Sequence, residues 1–142
     1  MNTVGICDRD YRFDIFTLCE AAVDVSGRLS LLGTIEGLAA TQFPLDLKKI
    51  TVALRVRVWP EEGVKHHVRL LIVDPDGHTV GNEVNDVFTF APTHGDRAVG
   101  GNVVVEFLNV RLTEPGSYTV DFYWNGALEG RCPFYAEPLA PS

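Results

Sequence analysis

The sequence lacks any long apolar run. Hydrophobic residues make up 46% of its 142 positions, but no run approaches the roughly 18 consecutive apolar residues that a membrane-spanning helix needs. Residues 1–10 are polar and carry charges of both signs, which is unlike the apolar core of a secretory signal. We therefore expect no membrane segment and a cytoplasmic location.

Cysteines and cationic side chains are also scarce. The three cysteines (Cys7, Cys19 and Cys132) are an odd number without a close pair, which argues against a disulfide framework and fits a reducing compartment. Lys and Arg number 12 against 19 Asp and Glu, for a net charge of −7. Because neutralised phosphates supply most of the affinity for nucleic acid, this balance predicts no nucleic-acid partner.

The sequence also lacks a convincing long helix. It has instead short stretches in which apolar and polar residues alternate, the pattern of a strand with one buried face. A helix over residues 16–23 is the competing interpretation of the first stretch, but its Phe, Ile, Thr and Val content favours a strand. Turn signals stand at Ser26-Gly27, Asp76-Gly77 and Asn125-Gly126. The first predicts a hairpin with the apolar run at residues 29–35, and the last two predict antiparallel hairpins. The predicted strands cover residues 13–23, 29–35, 50–58, 68–72, 84–90, 103–107, 118–124 and 131–136.

This pattern predicts an all-β protein, a single antiparallel β-sandwich of immunoglobulin-like or jelly-roll topology with about eight strands. At 142 residues the chain is expected to form one domain over residues 1–142. Residues 1–11 are expected to be a lead-in segment. Residues 137–142 are Pro-rich and are expected to form a frayed tail.

The stretch around Tyr118 favours the immunoglobulin-like topology. Pro115-Gly116 predicts a turn, and Tyr118 lies two residues after the glycine at the start of a late strand. Residues 112–120 thereby resemble the tyrosine corner of immunoglobulin-like sandwiches. Val120 stands where an antibody domain has its second cysteine, so the resemblance does not extend to antibody-type domains.

A second resemblance covers most of the chain. It is similar to a family of small uncharacterised bacterial β-sandwich proteins, a domain of unknown function, which implies a bacterial, cytoplasmic, all-β protein. No catalytic residue is carried over from it. The residues that carry the resemblance are Leu18-Cys19-Glu20-Ala21-Ala22, Gly27-Arg28-Leu29, Leu32-Gly33, Phe43-Pro44 and Pro115-Gly116-Ser117-Tyr118.

Two kinds of reactive side chain, cysteine and histidine, are candidates for a catalytic or metal site. Cys19 has no recognisable His partner in the sequence, so a buried structural thiol is the expectation. The adjacent His66 and His67 point to opposite faces of a strand, unlike the ligand pair of a cupin. We therefore predict no metal and no cofactor. The alternative is a cupin-like metal site built from His67, His78 and His94 with a carboxylate.

The most unusual surface feature is a predicted basic ridge. If the strands at residues 50–58 and 68–72 pair, their outer side chains line one face, where like charges repel unless something neutralises them. An acidic partner, or an acidic patch on a second copy, would do so. The ridge comprises Arg55, Arg57, Lys65, His67 and Arg69.

Aromatic side chains beside this ridge complete the predicted binding surface. Alternation directs Trp59 and Tyr123 outward and Trp124 inward. Exposed aromatics next to arginines are typical interface anchors. The sequence thus favours a non-catalytic binding or assembly module with a protein partner or self-association into a homo-oligomer. The alternatives are the cupin-like metal-dependent enzyme and a carbohydrate- or small-ligand-binding sandwich with Trp59 or Tyr123 in a groove.

Overall fold

The computed structural model describes residues 12–92 and 95–139. The predicted lead-in at 1–11 lies outside the described residues. A 3₁₀ turn at Pro60–Glu62 joins the fourth and fifth strands. The strands are β1 (Phe13–Val25), β2 (Arg28–Ile35), β3 (Gly37–Ala40), β4 (Leu45–Val58), β5 (Lys65–Val73), β6 (Thr79–Thr89), β7 (Val99–Leu112), β8 (Gly116–Trp124) and β9 (Ala127–Pro138).

These strands form a two-sheet sandwich. Sheet A has the order β2-β1-β4-β7, and sheet B has the order β3-β9-β8-β5-β6. Neighbours are antiparallel, except that β3 runs parallel to β9. The prediction of a β-sandwich is confirmed, and the helical alternative for residues 16–23 is wrong. Strand β3 went unpredicted because Gly37, Ala39 and Ala40 have low strand propensity.

The core lies between the sheets and follows from the alternation of apolar residues. Val52, Leu54 and Val56 of β4 are completely buried and face Leu70 and Phe122 from sheet B, which are also completely buried. Burying a side chain of this size contributes about 1.5–3 kcal/mol relative to leaving it in water. No helix in the described part of the chain is long and apolar enough to cross a membrane.

The tyrosine corner is present at the start of β8. Tyr118 is 1% exposed, and its hydroxyl donates a hydrogen bond to the Glu114 carbonyl at 2.6 Å. Its ring stacks on Phe134 at 5.5 Å between centroids. The hydroxyl thus ties the preceding turn to the body, as the resemblance of residues 112–120 implies.

Residues 137–139 are hydrogen-bonded to sheet B rather than frayed. Glu137 and Pro138 pair with Ala39 and Ala40 of β3. The Leu139 amide donates to the Ala40 carbonyl at 2.8 Å. The predicted tail at 137–142 is therefore wrong in its first residues, while residues 140–142 lie outside the described part.

Strand β1 is longer than the part of it that belongs to the sandwich. It pairs with β4 only as far as Cys19, opposite Thr51, yet it pairs with β2 as far as Val25. Beyond Cys19 the strands β1 and β2 therefore continue as a two-stranded hairpin, and we call residues 20–34 the ribbon. Its turn uses positive φ at Ser26 and Gly27, which confirms the predicted hairpin.

Candidate functional site

The predicted basic ridge does not exist as one surface. Strands β4 and β5 do not pair, because β4 lies in sheet A and β5 lies in sheet B. The premise of a common face is therefore wrong, and a role of its members in partner binding stays a prediction. The sequence pattern places these residues correctly on strands but carries no information on which strands are neighbours. The separated residues are Arg55 and Arg57 on one sheet and Lys65, His67 and Arg69 on the other.

Acidic neighbours also neutralise two of these arginines within the chain. Arg57 pairs with Asp14 at 3.2 Å, and Arg69 pairs with Glu83 at 2.9 Å. The Arg69 guanidinium lies 5.0 Å from the centroid of the half-buried Tyr123 ring. The Arg69 guanidinium therefore covers the ring of Tyr123, the outward-facing aromatic side chain of β8.

Trp59 is only 9% exposed, so the prediction that it faces solvent is wrong. It lies at the end of β4, where the chain enters the turn that begins at Pro60. The guanidinium of Arg12 lies 5.8 Å from its ring. Alternation along β4 fails here because the strand ends and a side chain from outside the sheets covers the indole.

Arg12 is the centre of a cluster of polar and aromatic side chains. Its two terminal nitrogens donate to the two carboxylate oxygens of Glu62 at 3.0 and 2.7 Å, and one of them also donates to the Arg57 carbonyl at 2.8 Å. The guanidinium lies 4.6 Å from the Trp124 ring. We call Arg12, Trp59, Glu62, His66 and Trp124 the Arg12 cluster.

Glu62 is held in its ionised form by this cluster. Burial raises the pKa of its carboxyl, but hydrogen bonds from Arg12 and from the Trp59 amide outweigh burial and hold the pKa below its usual value. The Trp59 amide donates at 2.9 Å. A lowered pKa is the opposite of what a general acid or base needs at neutral pH.

His66 completes the cluster and is also fully engaged. It is 4% exposed and stacks on Trp124 at 4.4 Å. Its Nε2 lies 3.1 Å from the Gly63 carbonyl, which only accepts, so Nε2 carries the proton. Its Nδ1 then accepts from the Asn125 side-chain amide at 3.0 Å. Both ring nitrogens are therefore occupied. Period-two alternation along β5 was the signal that places this histidine inward.

Of the three histidines in the alternative metal site, the two that the structure describes, His67 and His78, lie at opposite ends of β5. His67 lies near the start of β5, His78 follows its end, and His94 lies outside the described residues. Ligand atoms of Asp74, Asp76 and His78 do lie within 4.8 Å of one another. Turn chemistry accounts for this group, because Asp74 Oδ1 accepts from the amides of Asp76 and His78 at 2.9 and 2.8 Å.

Cys19 is buried, as the sequence pattern indicates. It is 2% exposed, and burial raises the pKa of its thiol, which is the opposite of the activation that a nucleophile requires. Beside it, a cleft of about 240 Å³ opens where β1 and β4 separate. Thr51 lines this cleft, and its buried Oγ1 has no hydrogen-bond partner in the described part of the chain. The other lining residues are Leu18, Glu20, Ile35, Leu38, Leu47, Lys49 and Ile50.

The ribbon carries three large apolar side chains that are exposed to solvent. Leu32 is 66% exposed, Val25 is 55% exposed and Val23 is 52% exposed. The ribbon is anchored at its tip, because the Gly27 carbonyl accepts from Arg55 and from Asn102, each at 3.2 Å. Strand β2 is the edge of sheet A, and no described strand pairs with its outer side. The sequence predicted this hairpin but not its exposure.

Comparison with protein-family models assigns the chain to a family. The model of a family of unknown function, DUF6941, matches residues 14–137. The chain belongs to the DUF6941 family. This confirms the resemblance to an uncharacterised family, which carries no activity with it. No curated protein sequence matches the DUF6941 chain.

Two solved structures illustrate what the fold of the DUF6941 chain is similar to. One is the alkylpurine DNA glycosylase AlkC of Pseudomonas fluorescens bound to DNA with an abasic-site analogue, at 17% identity and a TM-score of 0.43 over 71% of this chain. The chain spans only 27% of that glycosylase. The other is an immunoglobulin-like protein of Pseudomonas aeruginosa, at 11% identity and a TM-score of 0.40, covering 89% of this chain and 94% of that one. The DUF6941 chain itself is an all-β sandwich of two sheets.

Proposed function

We propose that the DUF6941 chain is a non-catalytic binding or assembly module, and that the ribbon is its docking element. The observation that carries this proposal is the exposure of Val23, Val25 and Leu32, each more than half accessible, on one anchored hairpin with a free edge. Its free cysteines fit a cytoplasmic location in a bacterium.

Composition supports the ribbon as a docking element. Residues 20–34 include only three charged side chains, those of Glu20, Asp24 and Arg28. Natural proteins protect exposed strand edges with charges, short strands or covering elements, because an unprotected edge pairs with other chains. An edge that is long and apolar is therefore typical of a strand that has a partner.

Anchoring supports the proposal in a second way. An isolated two-stranded hairpin is only marginally stable in water. The hydrogen bonds from Arg55 and Asn102 to the Gly27 carbonyl hold the ribbon on the body, and Asp24 caps the turn by accepting from the Gly27 amide at 2.9 Å. A prearranged ribbon loses less conformational freedom on binding than a mobile one.

Site-specific photo-crosslinking in cells tests this proposal. A benzophenone amino acid at Leu32 is expected to give a covalent adduct with a protein chain. The same group at Leu108, which is 61% exposed on β7, is the matched control and is expected to give little adduct. Equal labelling at both positions, or none at Leu32, overturns the proposal. Mass spectrometry identifies whether the captured chain is a second copy or another protein.

A second candidate is a small-ligand site in the cleft beside Cys19. The unpartnered Thr51 Oγ1 favours it, because a buried hydroxyl without a hydrogen bond is costly and an apolar ligand with one acceptor atom would satisfy it. Ligand-detected NMR with short-chain ketones tests this. Binding that Thr51→Val abolishes supports the site, and binding that persists in this variant, or no binding to the wild type, rejects it.

A further inference from the structure

We propose, on the basis of the docking role of the ribbon, that its partner is a second copy of the chain, which pairs β2 to β2 in antiparallel register about Leu32. The two sheets have four edge strands, β2, β7, β3 and β6, which differ in how much free edge they offer for pairing. Strand β3 has four residues, and β6 and β7 contact each other where the two sheets meet. Strand β2 is the long edge that remains.

The sequence of β2 and its next residue is chemically symmetric about Leu32. When two copies run antiparallel with Leu32 opposite Leu32, three of the four flanking pairs match in character, and the pair of Leu31 with Gly33 is the exception. Basic meets acidic, aliphatic meets aliphatic and hydroxyl meets hydroxyl. The facing pairs are Arg28 with Glu36, Leu29 with Ile35, Ser30 with Thr34 and Leu31 with Gly33.

This symmetry selects one register. Centring the pair on Leu31 instead places Ser30 opposite Leu32 and Arg28 opposite Thr34. Centring it on Gly33 places Ser30 opposite Glu36. Directly opposed side chains are the unit of sheet stabilisation, so the register about Leu32 is favoured over its neighbours.

The charges at the two ends of this symmetric stretch are available. Arg28 and Glu36 are both exposed, and neither makes an ion pair within residues 12–92 and 95–139. The register about Leu32 gives each of them a partner of opposite sign on the other copy, twice by symmetry. It also brings together two Leu32 side chains that are 66% exposed in the single chain.

Charge exchange in the purified full chain tests the register by sedimentation velocity. Arg28→Glu alone and Glu36→Arg alone each create two like-charge pairs and are expected to weaken the dimer about tenfold. A mixture of the two variants restores opposite charges in the heterodimer and is expected to associate about as tightly as the wild type. Weakening without restoration in the mixture overturns the register, whereas an effect on folding of one chain alone would show in its own denaturation curve.

A disulfide gives an independent measure of the same contact. Leu32→Cys in a Cys7→Ser background is expected to form a covalent dimer on mild oxidation, because opposed strand residues are close enough for this bond. Val25→Cys, on the inner strand of the ribbon, is the matched control and is expected to dimerise much more slowly.

The outcomes separate the two proposals. A monomer at all concentrations, with a different protein captured by the crosslinker at Leu32, rejects self-pairing and supports the docking role of the ribbon. A monomer that captures nothing at Leu32 rejects both.

Discussion

Strand β1 joins two regions of opposite character. Just before it begins, Arg12 binds Glu62 through two hydrogen bonds and covers the Trp124 ring. Where it ends, the ribbon exposes Leu32 and leaves the outer edge of β2 without a described partner strand. The side chains that look reactive are therefore engaged in holding the fold, while the side chains that look plain are the ones available to a partner.

Among the substitutions that test this comparison, Trp124→Ala in the Arg12 cluster is expected to have the largest effect on the free energy of unfolding. Trp124→Ala removes a side chain that is 4% exposed and contacts His66, Phe90 and Arg12. We expect a loss of about 3–5 kcal/mol in the free energy of unfolding. Leu32→Ala on the ribbon is expected to change it by less than about 0.5 kcal/mol. Urea denaturation measures both, and comparable losses would break the distinction between the regions.

Removing the charge of Glu62 is expected to have the next largest effect. Glu62→Gln leaves the Arg12 guanidinium, whose side chain is 15% exposed, with only the more distant carboxylate of Glu129 at 3.6 Å as counter-ion, at a cost of about 1–3 kcal/mol. Glu83→Gln, which removes the exposed partner of Arg69, is the control and is expected to cost less than about 1 kcal/mol.

The difference between wild type and Glu62→Gln is also expected to depend on pH. The folded pKa of Glu62 is lowered, so its contribution is fully present above the unfolded pKa and is lost as pH falls through the folded value. Denaturation at neutral and acidic pH should therefore show the gap between the two proteins closing on acidification. A gap that widens in acid contradicts the assigned ionisation.

A substitution at Asn125 tests whether the hydrogen bonds around His66 fix the tautomer of the His66 ring. Its side-chain oxygen accepts from the His67 amide at 2.9 Å while its amide donates to His66. Asn125→Gly tolerates the positive φ of 49° but loses both bonds, at a cost of about 1 kcal/mol. Nitrogen NMR of the His66 ring is expected to show a single Nε2–H tautomer in the wild type and a mixture in the variant. An unchanged ring signal would show that stacking on Trp124 alone orients it.

The sequence predicted local structure better than it predicted neighbours. Alternation and turn residues located β1, the hairpin at Ser26-Gly27 and the corner at Tyr118, because each depends on residues close together in the chain. The basic ridge failed because it required β4 and β5 to pair, and pairing across the chain is set by the whole topology. The covering of Trp59 by Arg12 involves residues 47 positions apart in the sequence, and no local pattern signals such a contact.

The smallest expected effect concerns the anchor of the ribbon. Arg55→Ala removes the hydrogen bonds from Arg55 to the Gly27 carbonyl and to Asn102. The global free energy of unfolding should change by less than about 1 kcal/mol because these bonds are on the surface. Amide hydrogen exchange in the ribbon should nevertheless accelerate, while β8 stays protected, since a hairpin held at its tip can open locally. Arg57→Ala, which removes only a pair with Asp14, is the matched control and should leave the ribbon unchanged. Unaltered exchange in Arg55→Ala would mean that the ribbon needs no anchor, and a large global loss would mean that it belongs to the same cooperative unit as the Arg12 cluster.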